Sequence, residues 1–309
     1  MKRILLLLTF ILTTLFAAGQ NLYLKTFGSA KHKALIFIHG GPGSNSATFE
    51  ASTAQKLADN GFYVVLYDRR GEGRSVGLSA SYTFQQTFDD LNDIYKIAGL
   101  KKANLIGYSF GGILATLYAE KYPEKVKSLI LVSSLISMQE TYKTILKSSK
   151  EIYLNNNDRV GLSNVARAEA MNKGSLEFRD ACFKHAAKNN FFTSKRINES
   201  AKNLYAAIKD DTLLKKVPDQ TGHDALAGFW KNEKHTTIDL TPDLKELLAK
   251  KMKIFALYGM NDGLFSEEQV YSLRKMLGAD HLRYLDNCSH TLYIDQQPEF
   301  LDALKTWAR

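Results

Sequence analysis

Residues 34–133 alternate between short, uninterrupted apolar runs and longer stretches of helical periodicity. Ala34 to His39 (ALIFIH), Tyr63 to Asp68 (YVVLYD), Ala103 to Tyr108 (ANLIGY) and Ser128 to Ser133 (SLILVS) read as strands. They lack the in/out alternation of a half-exposed strand, as expected where helices cover both sheet faces. Helices are predicted over Phe49 to Asn60, Gln85 to Gly99 and Phe110 to Tyr122, the last stopped by Pro123. Strand and helix in turn at this spacing predict a mostly parallel, doubly wound sheet.

The rhythm stops after Leu135. Residues 136–250 read as helical, rich in Lys, Asn and Glu, with scattered aromatics and no strong strand run. It resumes with Lys253 to Tyr258 (KIFALY), a helix over Glu267 to Leu277, a strand from His281 to Leu285 and a closing helix from Pro298 to Trp307. The expected fold class is therefore α/β. One core is built from residues 20–135 and 251–309, and a helical insertion over 136–250 interrupts it.

Ahead of the core, Lys2 and Arg3 precede an apolar run from Ile4 to Phe16 and the small residues Ala17, Ala18 and Gly19. This order predicts a secretory signal peptide over residues 1–19, cut after Gly19, and a periplasmic or secreted mature chain beginning at Gln20. The run is shorter than the ~20 residues a spanning helix needs, so no stable membrane insertion of the mature chain is expected. No Cys follows the small residues, so no lipid anchor is indicated.

With 45% hydrophobic and 24% charged residues, the chain can bury a substantial core. Its net charge of +9 is spread without a basic block, which argues against a nucleic-acid partner. Cys182 and Cys288 form no disulfide framework and read as unpaired thiols. No His/Asp/Glu set has metal-ligand spacing, so no metal is expected.

Gly107-Tyr108-Ser109-Phe110-Gly111 fits G-x-S-x-G. The pattern alone is weak, but here it follows an apolar strand and opens a helix, where a sharp turn lifts a serine hydroxyl clear of the sheet. That hydroxyl needs a base. Of seven histidines, His290 lies in a loop beyond the last strand, in the order serine, acid, histidine that goes with such a turn. His281 begins the strand itself, and His185, His223 and His235 fall in the insertion. Asp262, in a loop after the strand ending at Tyr258, is the acid by position and elimination. Asp286 lies only four residues from His290, and Asp295 sits where a carboxylate would serve a helix dipole. The backbone N–H of Phe110 is one expected oxyanion donor. The second comes from His39-Gly40-Gly41-Pro42-Gly43, with Gly41 first and Gly40 in reserve, because Pro42 has no N–H. No G-K-[ST] or G-x-G-x-x-G occurs at that turn, which argues against a nucleotide cofactor. Asp68 to Ser75 (DRRGEGRS) reads as an ion-paired structural loop beneath the turn.

Together these motifs resemble the alpha/beta-hydrolase superfamily, and more specifically its proline iminopeptidase branch. The resemblance implies a helical cap over the site, release of N-terminal residues from small peptides, no cofactor, and the roles given above for Ser109, Asp262, His290, Gly41 and Phe110. It also implies cap glutamates that hold the substrate's amine, one of them in a Trp-x-x-Trp-Glu sequence. That sequence is absent, and Trp230 stands alone in the insertion. Glu169, Glu177, Glu199 and Trp230 are the candidate substrate-binding residues, with Glu151 and Glu233 as further amine partners. The expected activity is a serine hydrolase working through an acyl-enzyme on a small molecule or short peptide, as an exported aminopeptidase. A carboxylesterase or carbon–carbon bond hydrolase would use the same machinery. A non-catalytic binding protein on this fold would lack one of the three groups.

Overall fold

The computed structural model describes residues 21–217 and 222–308, so the expected signal peptide lies outside the described residues. The core is a seven-stranded sheet in the order β1-β3-β2-β4-β5-β6-β7. The strands are β1 (Leu24–Phe27), β2 (Lys33–Ile38), β3 (Phe62–Tyr67), β4 (Ala103–Tyr108), β5 (Val126–Val132), β6 (Ile254–Gly259) and β7 (Leu282–Leu285). β1 pairs antiparallel with β3, and all other pairings are parallel. The sequence reading finds every strand but β1. Four residues long, half-exposed and at the sheet edge, β1 carries little periodic signal.

The apolar runs divide their side chains between two cores, one on each sheet face. Ile36, Ile38, Val65 and Tyr67 join one, and Leu35, Phe37, Val64 and Leu66 join the other. The first is covered by α2 (Phe84–Ile97), α3 (Phe110–Lys121) and α10 (Glu267–Leu277). The second is covered by α1 (residues 47–59), α11 (Leu292–Asp295) and α12 (Gln297–Trp307). α1 is a helical run made of Ala47–Phe49, a π-helical turn over Glu50–Ala54, and Gln55–Asp59. Phe49 of α1 stacks on Phe37 at 3.8 Å between centroids. α3 is buried on nearly all sides, which accounts for its almost wholly apolar sequence.

From β2 the chain steps outward to β3, then returns to place β4 on the other flank of β2. Such a reversal opens a crevice at the strands' carboxyl ends. Here it lies between His39-Gly40-Gly41, after β2, and Ser109, after β4.

The insertion leaves after β5 as α4 (Met138–Asn155), α5 (Arg159–Glu169), α6 (Leu176–Lys188), α7 (Glu199–Asp210) and α8 (Gly222–Glu233), and α9 (Thr241–Ala249) returns against α3. Its two ends are stitched antiparallel. Met138 N–H donates to the Ile238 carbonyl at 2.9 Å, and Leu240 N–H donates to the Ile136 carbonyl at 2.8 Å. No helix among the described residues is long and apolar enough to cross a membrane.

Candidate active site

Ser109 sits between β4 and α3 with φ 53° and ψ −120°, a backbone conformation that costs a non-glycine residue energy. The glycines on either side make the turn possible. A Cβ on Gly107 would come within 2.7 Å of the Gly112 Cα, and one on Gly111 within 2.1 Å of the Ile38 carbonyl oxygen. The G-x-S-x-G spacing is thus a packing requirement between the turn, its helix and the neighbouring strand. Phe110 occupies the first position of α3, where a backbone N–H has no partner within its own helix.

His290 and Asp262 come together from separate loops. The His290 Nδ1 is 2.7 Å from Asp262 Oδ2, both side chains are buried, and Asp262 Oδ1 accepts the Leu264 N–H at 3.2 Å. Ser109 and His290 line one cavity of about 390 Å³, together with Gly40, Gly41, Tyr108, Phe110, Met138, Phe183 and Phe192. Such a volume suits a small ligand. The rings of Tyr108 and Phe192 flank the His290 imidazole at 5.3 and 5.5 Å.

The glycine turn after β2 is held from below by a buried ion pair. Arg69 bonds Glu72 through Nε and Nη2, both at 2.8 Å, and donates to the His39 and Gly40 carbonyls at 2.5 Å each. Glu72 Oε2 accepts the N–H groups of Gly43 and Ser44 at 2.7 and 3.3 Å. The Gly41–Pro42 peptide is cis. Gly43 and Ser44 are thereby committed and Pro42 has no donor, which leaves Gly40 and Gly41 as the turn's remaining backbone N–H groups. Asp68 extends the scaffold by bonding Arg74 and Ser46. The Asp68 to Ser75 segment is therefore an ion-paired support, as its sequence suggests.

Asp295 is more than a carboxylate near a helix start. It is buried, takes the Ser289 N–H at 2.7 Å and hydroxyl at 2.5 Å, and accepts the Tyr205 hydroxyl at 2.8 Å. It fixes the residue next to His290 and ties that loop to α7 of the insertion. A second tie, the Gly263 N–H to the Phe191 carbonyl at 2.9 Å, joins the insertion to the Asp262 loop.

The expected amine-binding residues stand elsewhere. Glu151, Glu169, Glu177 and Glu199 are exposed, and Glu199 pairs with Lys202. Glu233 accepts the Phe84 N–H at 2.6 Å, at the start of α2. Trp230 donates to the Gly174 carbonyl at 2.9 Å and lies under Lys234. None of them lines the cavity. The insertion contributes Met138, Arg179, Phe183, Phe192 and His235 instead, none of which the sequence reading singles out for a site. Cys182 and Cys288 are both buried and free. Among the described residues no His, Cys, Asp and Glu cluster could hold a metal.

A family model for the alpha/beta hydrolase fold matches residues 33–297. The chain is 39% identical over 121 residues to the proline iminopeptidase of Lactobacillus delbrueckii subsp. bulgaricus, a match spanning 37% of this chain and 41% of that relative. Over 297 residues it is 26% identical to the proline iminopeptidase of Lactobacillus delbrueckii subsp. lactis, covering 92% and 93% of the two chains. A proline iminopeptidase-related protein from Thermus thermophilus superposes with a TM-score of 0.62 at 20% identity, covering 93% of this chain and 94% of that one. An esterase from Exiguobacterium antarcticum superposes with a TM-score of 0.60 at 16% identity, covering 93% and 95%. At these identities the two solved structures show a shared fold.

Proposed function

The chain belongs to the alpha/beta hydrolase family, and from that premise we propose that it is a serine hydrolase acting on small esters or amides through an acyl-enzyme. The observation that carries this reading is the 2.7 Å His290–Asp262 hydrogen bond at a cavity that also exposes Ser109 on a strained turn. Ser109 Oγ attacks the carbonyl carbon while His290 takes its proton, and Asp262 holds the imidazole in the tautomer that can accept it. The N–H groups of Phe110 and Gly41 receive the charge developing on the carbonyl oxygen. His290 then returns the proton to the departing alcohol or amine. Water, deprotonated by the same imidazole, releases the acid and restores Ser109.

Aminopeptidase action is the second reading, and the names of the relatives favour it. The cavity lining does not, because among the described residues it contains no carboxylate to meet a protonated amine and does contain a guanidinium. We also propose that residues 1–19 direct export. Terminal sequencing of the chain recovered from a secreting host should then begin at Gln20.

The primary test is labelling of purified protein with a fluorophosphonate. Modification at Ser109, abolished in S109A, is expected; an unlabelled wild type would point to a binding protein. Comparing prolyl-, alanyl- and leucyl-arylamides with short-chain aryl esters decides between the substrate readings. Turnover of the arylamides above the esters would favour the aminopeptidase.

A further inference from the structure

The cavity at Ser109 holds charge and hydrogen-bonding capacity that acyl transfer does not use. Arg179, on α6, and His235, in the short turn His235–Thr237, both line it. The Arg179 guanidinium lies over the Phe183 ring at 4.5 Å, and its Nη1 bonds Asp180 Oδ1 at 2.9 Å. Its Nε is buried and makes no hydrogen bond. Asp180 is more exposed than Arg179, 38% against 15% at the side chain, so water screens the carboxylate more than the guanidinium. His235 is 1% exposed; neither ring nitrogen makes a well-formed hydrogen bond, and the Phe229 backbone is the one uncharged polar neighbour that acts on the ring. Its ring stands edge-on to Phe110, 5.6 Å between centroids. Burial, with the Arg179 charge added, pushes its pKa down to about 4, so the ring is neutral with one N–H to donate.

Buried polar groups without partners are uncommon and costly to keep. Here a guanidinium Nε and a poorly satisfied imidazole are buried on residues that line the cavity where a substrate would sit. We propose that Arg179 and His235 form an anion subsite that takes a free carboxylate on the substrate, making the preferred substrates small esters or amides that carry a second, acidic group. The subsite rests on the reading of Ser109 as nucleophile. A planar guanidinium fork matches a carboxylate. The guanidinium already shares its charge with Asp180, so what is left for a ligand suits a monoanion better than a phosphate dianion. A protonated amine would meet like charge.

The test uses two series of aryl esters. In one the acyl group ends in a carboxylate or a methyl of similar size; in the other the leaving phenol carries a carboxylate or no charge. In wild type the acidic member of at least one series is expected to have a kcat/KM higher by about 10- to 100-fold, the factor a charge-assisted hydrogen bond supplies. The preference should collapse in R179Q, shrink in H235N and survive in part in R179K. Should R179Q fail to fold, wild type alone still decides, since glutarate should slow fluorophosphonate labelling of Ser109 and glutaramide should not. Labelling of Ser109 with no acidic preference in either series and no glutarate protection overturns the subsite and leaves the hydrolase standing. A preference that persists undiminished in R179Q overturns it too. A wild type that does not label at all brings down both readings.

Discussion

Replacing Asp262 by Asn removes one charge while leaving the packing of its loop almost unchanged. In the native site Oδ1 accepts the Leu264 N–H at 3.2 Å and Oδ2 faces His290 Nδ1 at 2.7 Å. An Asn satisfies Leu264 only with its carbonyl oxygen, which turns its NH2 group toward Nδ1. The imidazole must then accept at Nδ1 and carry its proton on Nε2, so it presents a donor where Ser109 needs a base. The imidazolium that forms during attack also loses its counter-charge. At a charge separation of about 4 Å and an effective dielectric of about 20, that is worth roughly 4 kcal/mol. With the wrong tautomer added, kcat should fall roughly 10³- to 10⁴-fold, or about 4 to 5.5 kcal/mol of activation free energy. Asp286 is a neighbouring carboxylate on the His290 loop, but it is exposed and its side chain bonds only Asn287. D286N should therefore stay within about twofold of wild type. The assay is aryl-ester turnover on both variants, with urea melts to show that each is folded. A folded D262N that keeps a tenth of the wild-type rate, or a D286N that loses as much as D262N, would refute the assignment of the acid.

Three further outcomes follow from the scaffold. E72A leaves Arg69 buried without its partner and should cost about 3–5 kcal/mol in urea unfolding, and the double variant R69A/E72A should cost less than the sum of the two single losses; strictly additive losses would mean the pair is not coupled. G111A drives a methyl group into the Ile38 carbonyl and should lower stability by about 3 kcal/mol, read as a reduced urea midpoint at unchanged m-value. His39 gives the stability a pH dependence. Burial and the nearby Arg69 charge lower its pKa from 6.5 to about 4, and its Nε2 accepts the Arg69 N–H at 3.1 Å, which requires a neutral ring. Between those values the unfolded chain binds a proton that the folded chain refuses, so stability is lost as pH falls from 6.5 toward 4. His235 adds to the same window. The loss is about 3 kcal/mol per ring at about 1.4 kcal/mol per pH unit, and a urea midpoint that stays flat from pH 7 to 4.5 would contradict it.

The sequence makes Ser109, Asp262 and His290 visible because each stands just past the end of an apolar run. In a parallel sheet all such ends lie on one edge, so one-dimensional order becomes three-dimensional proximity without any knowledge of packing. The insertion offers no such shortcut. Arg179 and His235 meet at the cavity only because α6 and the turn after α8 cross it at particular angles, and the residues between them carry no motif. The glutamates proposed from resemblance, Glu233 apart, are solvent-exposed on helices of the insertion, where sequence alone does not separate solvent-facing from cavity-facing carboxylates. Asp295 does lie just ahead of the last helix, and its burial and partners go unseen for a related reason. Its partners Ser289 and Tyr205 lie on either side of the core and insertion boundary, and position relative to a helix start says nothing of burial.

The paired hydrogen bonds that join residues 136–138 to 238–240 have a consequence for how such a protein changes over time. Because the two ends of the helical insertion leave the core side by side, a different insertion can be spliced in at that seam while the strands keep their neighbours. Tolerance of the splice depends on these two backbone hydrogen bonds, on the ties near Asp262 and Ser289, and on side-chain bonds to the core such as Glu233 to the Phe84 N–H and Thr144 to Gln269. The insertion's share of the cavity lining and the proposed Ser109, Asp262 and His290 set thus lie on separable stretches of chain, and a chimera that exchanges residues 138–238 is the natural unit for changing one without the other.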